Sequence, residues 1–172
     1  VVDSHHGTPV ADPYRWLETP GPGVSAWVEA QNALSRPWLE GIPAREQLRA
    51  RLTELWDYEQ YGYPWLDAKA RVPIRRGDRY FFVEKKGRQD QGVLYWAPGL
   101  AAEPRVLVDP NALSADGTAS LADFSLSPDG RHVAWAVSDG GTDWDTWQVR
   151  EVDSGRDLPE KIVDTKFTGV SW

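Results

Sequence analysis

The stretch FSLSPDGRHVAWAV, Phe124–Val137, decides the fold that the sequence predicts. On either side of its centre, strand-favouring residues recur with the period of two that is typical of β-structure. The centre itself, Ser127-Pro128-Asp129-Gly130, has the composition of a turn. The stretch therefore predicts two β-strands joined by a turn.

Further β-rich runs lie on both sides of this pair. The predicted strands are Arg79–Val83, Val93–Trp96, Arg105–Val108, Ala122–Leu126, His132–Val137, Trp147–Val152 and Lys161–Val163. Aligning Arg79-Tyr80-Phe81 with Arg131-His132-Val133 gives a repeat of about 50 residues, which is the length of one four-stranded propeller blade. The repeat favours two blades of a β-propeller, and a generic β-sandwich is the alternative.

The last residues, Phe167–Trp172, have the pattern of the first strand of a third blade. A lone terminal strand leaves backbone donors and acceptors unpaired. We therefore expect the chain to be the N-terminal part of a longer polypeptide.

The first part of the chain has a helical pattern instead. Asp12-Pro13 predicts one helix start, Ser25 can cap a second helix that Pro37 ends or kinks, and a third helix follows Ile42-Pro43. The third has an apolar stripe of Leu48, Leu52, Leu55 and Trp56. The period becomes two from about Arg71. The prediction is thus a helical segment over residues 1–70 and propeller blades over residues 71–172.

Composition excludes several classes of protein. The net charge of −7 in 172 residues argues against a nucleic-acid or anionic-membrane partner, and no apolar run approaches the length of a membrane helix. The absence of Cys excludes a disulfide framework or a thiolate nucleophile. Because the chain begins at Val1 and has no Met, we expect residues upstream, where any targeting signal would lie. A cytoplasmic location is predicted, with the periplasm as the alternative.

No complete catalytic constellation is found in the sequence. Gly169-Val170-Ser171 begins a G-x-S-x-G pattern, but Ser171 lies in a predicted strand and lacks the strand–turn–helix context of a nucleophile elbow. The histidines His5, His6 and His132 have no third ligand at metal-binding spacing. We therefore predict no catalytic residue, metal or cofactor in this chain, and no hydrolysis by the chain alone.

One loop is unusually acidic. Asp139, Asp143 and Asp145 follow one another at spacings that can hold Ca²⁺ or form a carboxylate pair. The loop lacks the spacing and the terminal Glu of an EF-hand. An acidic, glycine-rich loop between two strands is therefore the preferred interpretation.

Specific segments over nearly the whole chain resemble the N-terminal third of the prolyl oligopeptidase (prolyl endopeptidase) family of serine peptidases. The matching segments are His6-Gly7, ADPYRWLE (Ala11–Glu18), WVEAQN (Trp27–Asn32), LWDY (Leu55–Tyr58), RYFF (Arg79–Phe82), VLYW (Val93–Trp96), VLVDPNALSADGTASL (Val106–Leu121), FSLSPDG (Phe124–Gly130), VAWAVSDGGTDW (Val133–Trp144) and KFTGVSW (Lys166–Trp172). The segment Tyr61–Arg76 looks longer than expected between the third helix and the first blade.

The resemblance implies a fold class: a helical N-terminal segment that belongs to an α/β-hydrolase domain, followed by blades of a seven-bladed propeller. Trp16, Leu17 and Trp27 would then pack on the hydrolase domain. The resemblance also implies a Ser-Asp-His triad that lies outside this chain, in the C-terminal part of the protein.

The activity implied by the resemblance is hydrolysis of short peptides on the carboxyl side of proline, with the propeller gating access to the active site. The implied partners are a short proline-containing peptide and the remainder of the polypeptide, in a protein that is monomeric when complete. An oligopeptidase that cleaves after basic residues and a non-catalytic propeller scaffold are the alternatives.

One residue of this chain is implied to bind substrate. Phe167 matches the phenylalanine with which the family lines a subsite for the substrate residue two before the scissile proline. From the sequence alone, a core aromatic is the competing interpretation.

Overall fold

Contacts in the computed structural model, which describes residues 1–61 and 72–172, divide the chain into two units, Val1–Glu54 and Leu55–Trp172. The predicted boundary between residues 70 and 71 lies outside the described residues and stays a prediction. The assignment of residues 1–70 to packing on a peptidase domain also stays a prediction.

The first unit begins with a β-hairpin that the sequence pattern did not predict. Strands β1 (Val2–His5) and β2 (Thr8–Ala11) pair in antiparallel fashion. His6 and Gly7 join them with φ values of 51° and 84°. Positive φ at both central residues is the two-residue turn whose twist suits a hairpin.

Two α-helices follow the hairpin, and not the three that were predicted. Residues after Asp12-Pro13 form only a 3₁₀ turn, Arg15–Glu18. Helix α1 (Pro22–Glu40) begins before Ser25 and continues past Pro37, and α2 is Arg45–Trp56. Neither of these described helices is long and apolar enough to cross a membrane.

The fold class predicted from the sequence is therefore wrong. The N-terminal region is not the helical segment that was predicted, because a β-hairpin and a 3₁₀ turn precede α1 and α2, and strands outnumber helices among the described residues. Within the first unit, Trp16 and Trp27 contact each other edge to face, with ring centroids 6.4 Å apart. Both rings remain partly exposed, at 46% and 41%.

The second unit contains two antiparallel sheets. The strands are β3 (Gln60–Tyr61), β4 (Ile74–Arg76), β5 (Arg79–Lys85), β6 (Val93–Ala97), β7 (Arg105–Val108), β8 (Ser120–Leu126), β9 (His132–Ser138), β10 (Asp145–Glu151) and β11 (Asp157–Thr165). In the first sheet, β3 and β4 both pair with β5, and β6 and β7 follow. The second sheet has the order β8-β9-β10-β11.

Every strand predicted between Arg79 and Val163 is present, with ends that differ by a few residues. The strand predicted over Phe167–Trp172 is not formed, and β11 ends at Thr165. The physical reason is that a strand needs a partner edge, and no described residue pairs with this segment.

The main core lies between the two sheets. Phe81, Leu94 and Trp96 of the first sheet pack with Val133 and Trp135 of the second in one buried cluster. On the opposite face of β9, Ala134 and Ala136 pack with Trp147 in a separate cluster. Strand β9 is therefore buried on both faces, which explains its continuous run of apolar side chains from Val133 to Val137.

Two arginines tie the sheets together. Arg150 of β10 donates to both carboxylate oxygens of Asp157, at 2.7 and 2.8 Å, and to the carbonyl oxygen of Leu107 in the first sheet. Arg79 of β5 pairs with Asp153 at 2.6 Å. The Arg150 guanidinium lowers the pKa of Asp157, so this pair stabilises the fold at neutral pH and loses that contribution as the pH falls through the lowered pKa.

Candidate functional site

A surface depression of about 720 Å³ lies where the second sheet meets the segment that follows β11. We call it the Phe167 depression, and its lining residues are Ala122, Asp123, Ser138, Thr142, Asp143, Asp145, Phe167, Thr168 and Gly169. Strand β8, the β9–β10 loop and the chain after β11 all contribute to it. Three parts of the sequence are thus brought together by the pairing of β8 and β10 with β9.

Phe167 is displayed at the surface. Its side chain is 82% exposed, and its φ of 52° lies in the left-handed region. That conformation costs a non-glycine residue roughly 1–2 kcal/mol. Within the described residues, Phe167 is exposed and is one of the residues that line the depression.

Three carboxylates share the same depression. Burial raises the pKa of Asp123, and the charge of Asp145 adds to that rise. Burial likewise raises the pKa of Asp145, with a further contribution from the charge of Asp143. The Asp123 Oδ1 accepts a hydrogen bond of 2.7 Å from the backbone amide of Phe124. These directions mark Asp123 and Asp145 as carboxylates without a compensating positive charge.

Lys166 forms an ion pair with one of the three carboxylates, Asp143. The Lys166 Nζ lies 3.1 Å from Asp143 Oδ2. The same ammonium lies 5.4 Å from the ring centroid of Trp144 and 5.1 Å from that of Phe167. Both distances are within the range of cation–π attraction. The Lys166 ammonium therefore lies close to two aromatic rings and one carboxylate.

The acidic loop does not gather its carboxylates around one point. Asp139 accepts a hydrogen bond of 2.9 Å from Thr118 Oγ1, whereas Asp143 and Asp145 line the Phe167 depression. Asp145 is joined there by Asp123, which the sequence pattern did not single out. The signal for Asp123 was present, because a charged residue inside a predicted strand is unfavourable unless it has a role there.

The remaining sequence candidates stay apart. His132 lies in β9 with its ring 6.3 Å from that of Trp172. His5 and His6 belong to the N-terminal hairpin, and Ser171 is outside any strand or helix. In the part of the chain that the structure describes, no three His, Asp or Glu side chains have an arrangement that could hold a metal ion.

A second depression in this unit has the opposite character. It measures about 650 Å³ and is lined by Arg76, Gly77, Asp78, Arg79, Pro98, Asp129 and Arg131. Three arginines against two aspartates give its ionisable groups a net charge of +1. The acidity of the Phe167 depression is therefore local and does not simply reflect the net charge of the chain.

Comparison with known proteins identifies the family. The family described as "Prolyl oligopeptidase, N-terminal beta-propeller domain" matches residues 1–172. The prolyl endopeptidase of Elizabethkingia meningoseptica is 36% identical over 172 residues, and that of Elizabethkingia miricola is 34% identical. Each match covers 99% of this chain and 23% of the relative, so the chain spans about a quarter of their length.

Solved structures agree with the sequence relatives. One structure, from a study of two prolyl endopeptidases and their inter-domain dynamics, superposes with a TM-score of 0.81 at 39% identity, over 95% of this chain and 23% of that chain. Prolyl oligopeptidase B of Galerina marginata, bound to a 35-residue hydrolysis and macrocyclization substrate, gives a TM-score of 0.74 at 28% identity. That match covers 98% of this chain and 26% of the other. The chain therefore belongs to the family of prolyl oligopeptidase N-terminal β-propeller domains.

Proposed function

We propose that this chain is part of a serine-type prolyl endopeptidase that hydrolyses short peptides on the carboxyl side of proline. The observation that carries the proposal is the match over the whole chain to proteins named prolyl endopeptidases, at 34–36% identity. The remainder of the polypeptide would supply the Ser-Asp-His triad, and the propeller would limit access to it. The cytoplasmic location stays a prediction.

The test of this function is the residue before the cleaved bond. Blocked peptides that are identical except for proline, alanine, arginine or lysine at that position are incubated with the complete protein. Selective cleavage after proline, abolished by a serine-directed fluorophosphonate, is the expected result. Cleavage after arginine or lysine would instead favour the alternative oligopeptidase, and no cleavage of any peptide would favour the scaffold.

Within this function, we propose that Phe167 contacts the substrate residue two before the scissile proline. The exposed ring in the wall of a depression supports this role, because an aromatic face can pack on an apolar substrate group. Such a contact is remote from the reacting bond and adds binding energy without taking part in proton transfer.

Phe167→Ala is expected to lower kcat/KM for substrates that reach the ring. The loss of transition-state stabilisation should be about 1–2 kcal/mol, the value of one aromatic contact. Shorter substrates should be nearly unaffected. Phe167→Gly is the matched control, because it also removes the ring but relieves the left-handed backbone. Equal losses in both variants are expected. A similar loss on long and short substrates, together with a large drop in melting temperature, would contradict the subsite.

A further inference from the structure

Aspartate followed directly by glycine occurs at three places in the chain, Asp116-Gly117, Asp129-Gly130 and Asp139-Gly140. In such a pair the glycine amide nitrogen can attack the carboxyl carbon of the aspartate, because glycine has no Cβ to obstruct the approach. The attack needs a protonated carboxyl group, an amide N–H that is not bonded elsewhere, and space for the side chain to turn back onto the main chain. The surroundings of each pair therefore decide whether it reacts.

The pair Asp129-Gly130 is held firmly in the turn between β8 and β9. The Asp129 carboxylate accepts hydrogen bonds from the Arg131 amide at 3.0 Å and from Ser127 Oγ at 2.7 Å, and both bonds lower its pKa. The Gly130 amide donates to the Ser127 carbonyl oxygen at 2.9 Å, and Gly130 is buried. Attack by this amide would therefore require the turn to open.

The pair Asp116-Gly117 is held in the connection between β7 and β8. The hydroxyl and the amide of Thr118 both donate to Asp116 Oδ1, at 2.7 and 3.2 Å, and lower the pKa of Asp116. The Gly117 carbonyl oxygen accepts a hydrogen bond of 2.9 Å from Gln91 Nε2. A Cβ on Gly117 would lie 2.8 Å from Asp90 Oδ2, so the main chain is closely enclosed at this point.

The pair Asp139-Gly140 lies in the exposed loop between β9 and β10. A Cβ on Gly140 would meet nothing within 4 Å, and among the described residues the Gly140 amide donates no hydrogen bond. The Asp139 carboxylate accepts from Thr118 Oγ1 at 2.9 Å, but that hydroxyl has a single hydrogen and also lies 2.7 Å from Asp116 Oδ1. Of the three pairs, this one can therefore react with the smallest loss of hydrogen bonds.

We propose that Asp139 is a site of spontaneous isomerisation to isoaspartate in the folded protein. The Gly140 nitrogen forms a bond to the Asp139 carboxyl carbon and gives up its proton, the carboxyl C–OH bond breaks, and water leaves. Water then opens the resulting succinimide ring at either carbonyl carbon, which gives aspartate or isoaspartate. In isoaspartate the main chain runs through the former side chain, so the β9–β10 loop becomes longer by one carbon atom. The inference is independent of the proposed function.

The test is the rate at which isoaspartate accumulates at each pair when the complete protein is stored in a mildly acidic buffer. Peptide mapping with electron-transfer fragmentation distinguishes isoaspartate from aspartate at each position. In the folded protein, the rate at Asp139 should exceed the rates at Asp116 and Asp129 by about tenfold, since about two more hydrogen bonds must break at those pairs and each contributes a factor of about three. In urea, where these contacts are absent, the three rates should be similar.

Two variants should move the rate at Asp139 in opposite directions. Gly140→Ala should lower it, because the added methyl group obstructs the attacking nitrogen. Thr118→Val should raise it about threefold, because the hydrogen bond to Asp139 is removed. Gly155→Ala is the matched control for Gly140→Ala, since both glycines have positive φ and open space around a Cβ. It should leave the rate at Asp139 unchanged, and circular dichroism checks the fold of every variant.

Equal rates at the three pairs in the folded protein, or a faster reaction at Asp116 or Asp129, would overturn the inference. The same excess at Asp139 in urea would also overturn it, because the selection would then come from the local sequence and not from the fold. All of these rates are measured without a substrate. A failure of peptide hydrolysis would therefore count against the proposed function alone.

Discussion

Replacing Trp135 by alanine is expected to lower the free energy of unfolding by about 3–5 kcal/mol, the range for removal of a large core aromatic. Trp135 is 1% exposed and belongs to the cluster that joins the two sheets. Its ring also lies 5.1 Å from the guanidinium carbon of Arg150, which contacts the Leu107 carbonyl oxygen of the first sheet. The substitution therefore removes apolar packing and one wall of the site that positions this arginine.

Chemical unfolding of the purified protein, followed by far-ultraviolet circular dichroism, measures this loss. Trp144→Ala is the matched control, because Trp144 directly precedes β10 of the same sheet but is 56% exposed. Its replacement should cost less than about 1 kcal/mol, the value of an exposed cation–π contact. Equal losses of unfolding free energy at the two positions would show that the core between the sheets contributes no more to stability than the exposed surface does.

Replacing Gly130 by alanine is expected to cost about 2–4 kcal/mol, from an unfavourable backbone and an overpacked contact together. Gly130 has a φ of +67° in the turn between β8 and β9. A Cβ at this position would lie 2.8 Å from the Arg76 Cβ and 3.2 Å from its carbonyl oxygen. Neither atom is the end of a flexible side chain, so β4 or the turn has to move.

Gly155→Ala separates the two contributions. Gly155 has nearly the same φ, +69°, but a Cβ there would meet nothing within 4 Å. Its replacement should therefore cost only the backbone penalty of roughly 1–2 kcal/mol. The difference between the two variants in the midpoint of chemical unfolding measures the contact between the turn and β4. A difference of zero would mean that the turn does not pack closely on the first sheet.

Helical patterns were the least reliable part of the sequence interpretation. Pro22 begins α1 because a proline suits the first turn, where its missing N–H has no partner, and Pro37 did not end the helix. The hairpin at Val2–Ala11 is too short for a clear alternation, and its one strong signal was His6-Gly7. Local contacts in the folded unit decided these elements, which propensity alone describes poorly.

The candidate site, too, could be predicted only in part from the sequence. The substrate-binding role of Phe167 was predicted from a family resemblance. Its exposed position in the wall of a depression became visible only in the structure. Asp123 and Asp145 are distant in sequence and lie on strands that flank β9. The effect of Asp145 on the pKa of Asp123 depends on the register of three strands and on the irregularity between Leu121 and Asp123. No pattern along the chain contains that register.

The sequence alone was sufficient to predict the strands from Arg79 to Val163 and the turn at Ser127–Gly130, because alternation and turn composition are properties of neighbouring residues. Only the tertiary structure decided whether Phe167–Trp172 forms a strand, because a strand forms only where it can pair with the edge of another strand. It also decided the charge of the Phe167 depression. The energy of a carboxylate depends on burial and on nearby charges, and both are set by residues that are distant in the sequence.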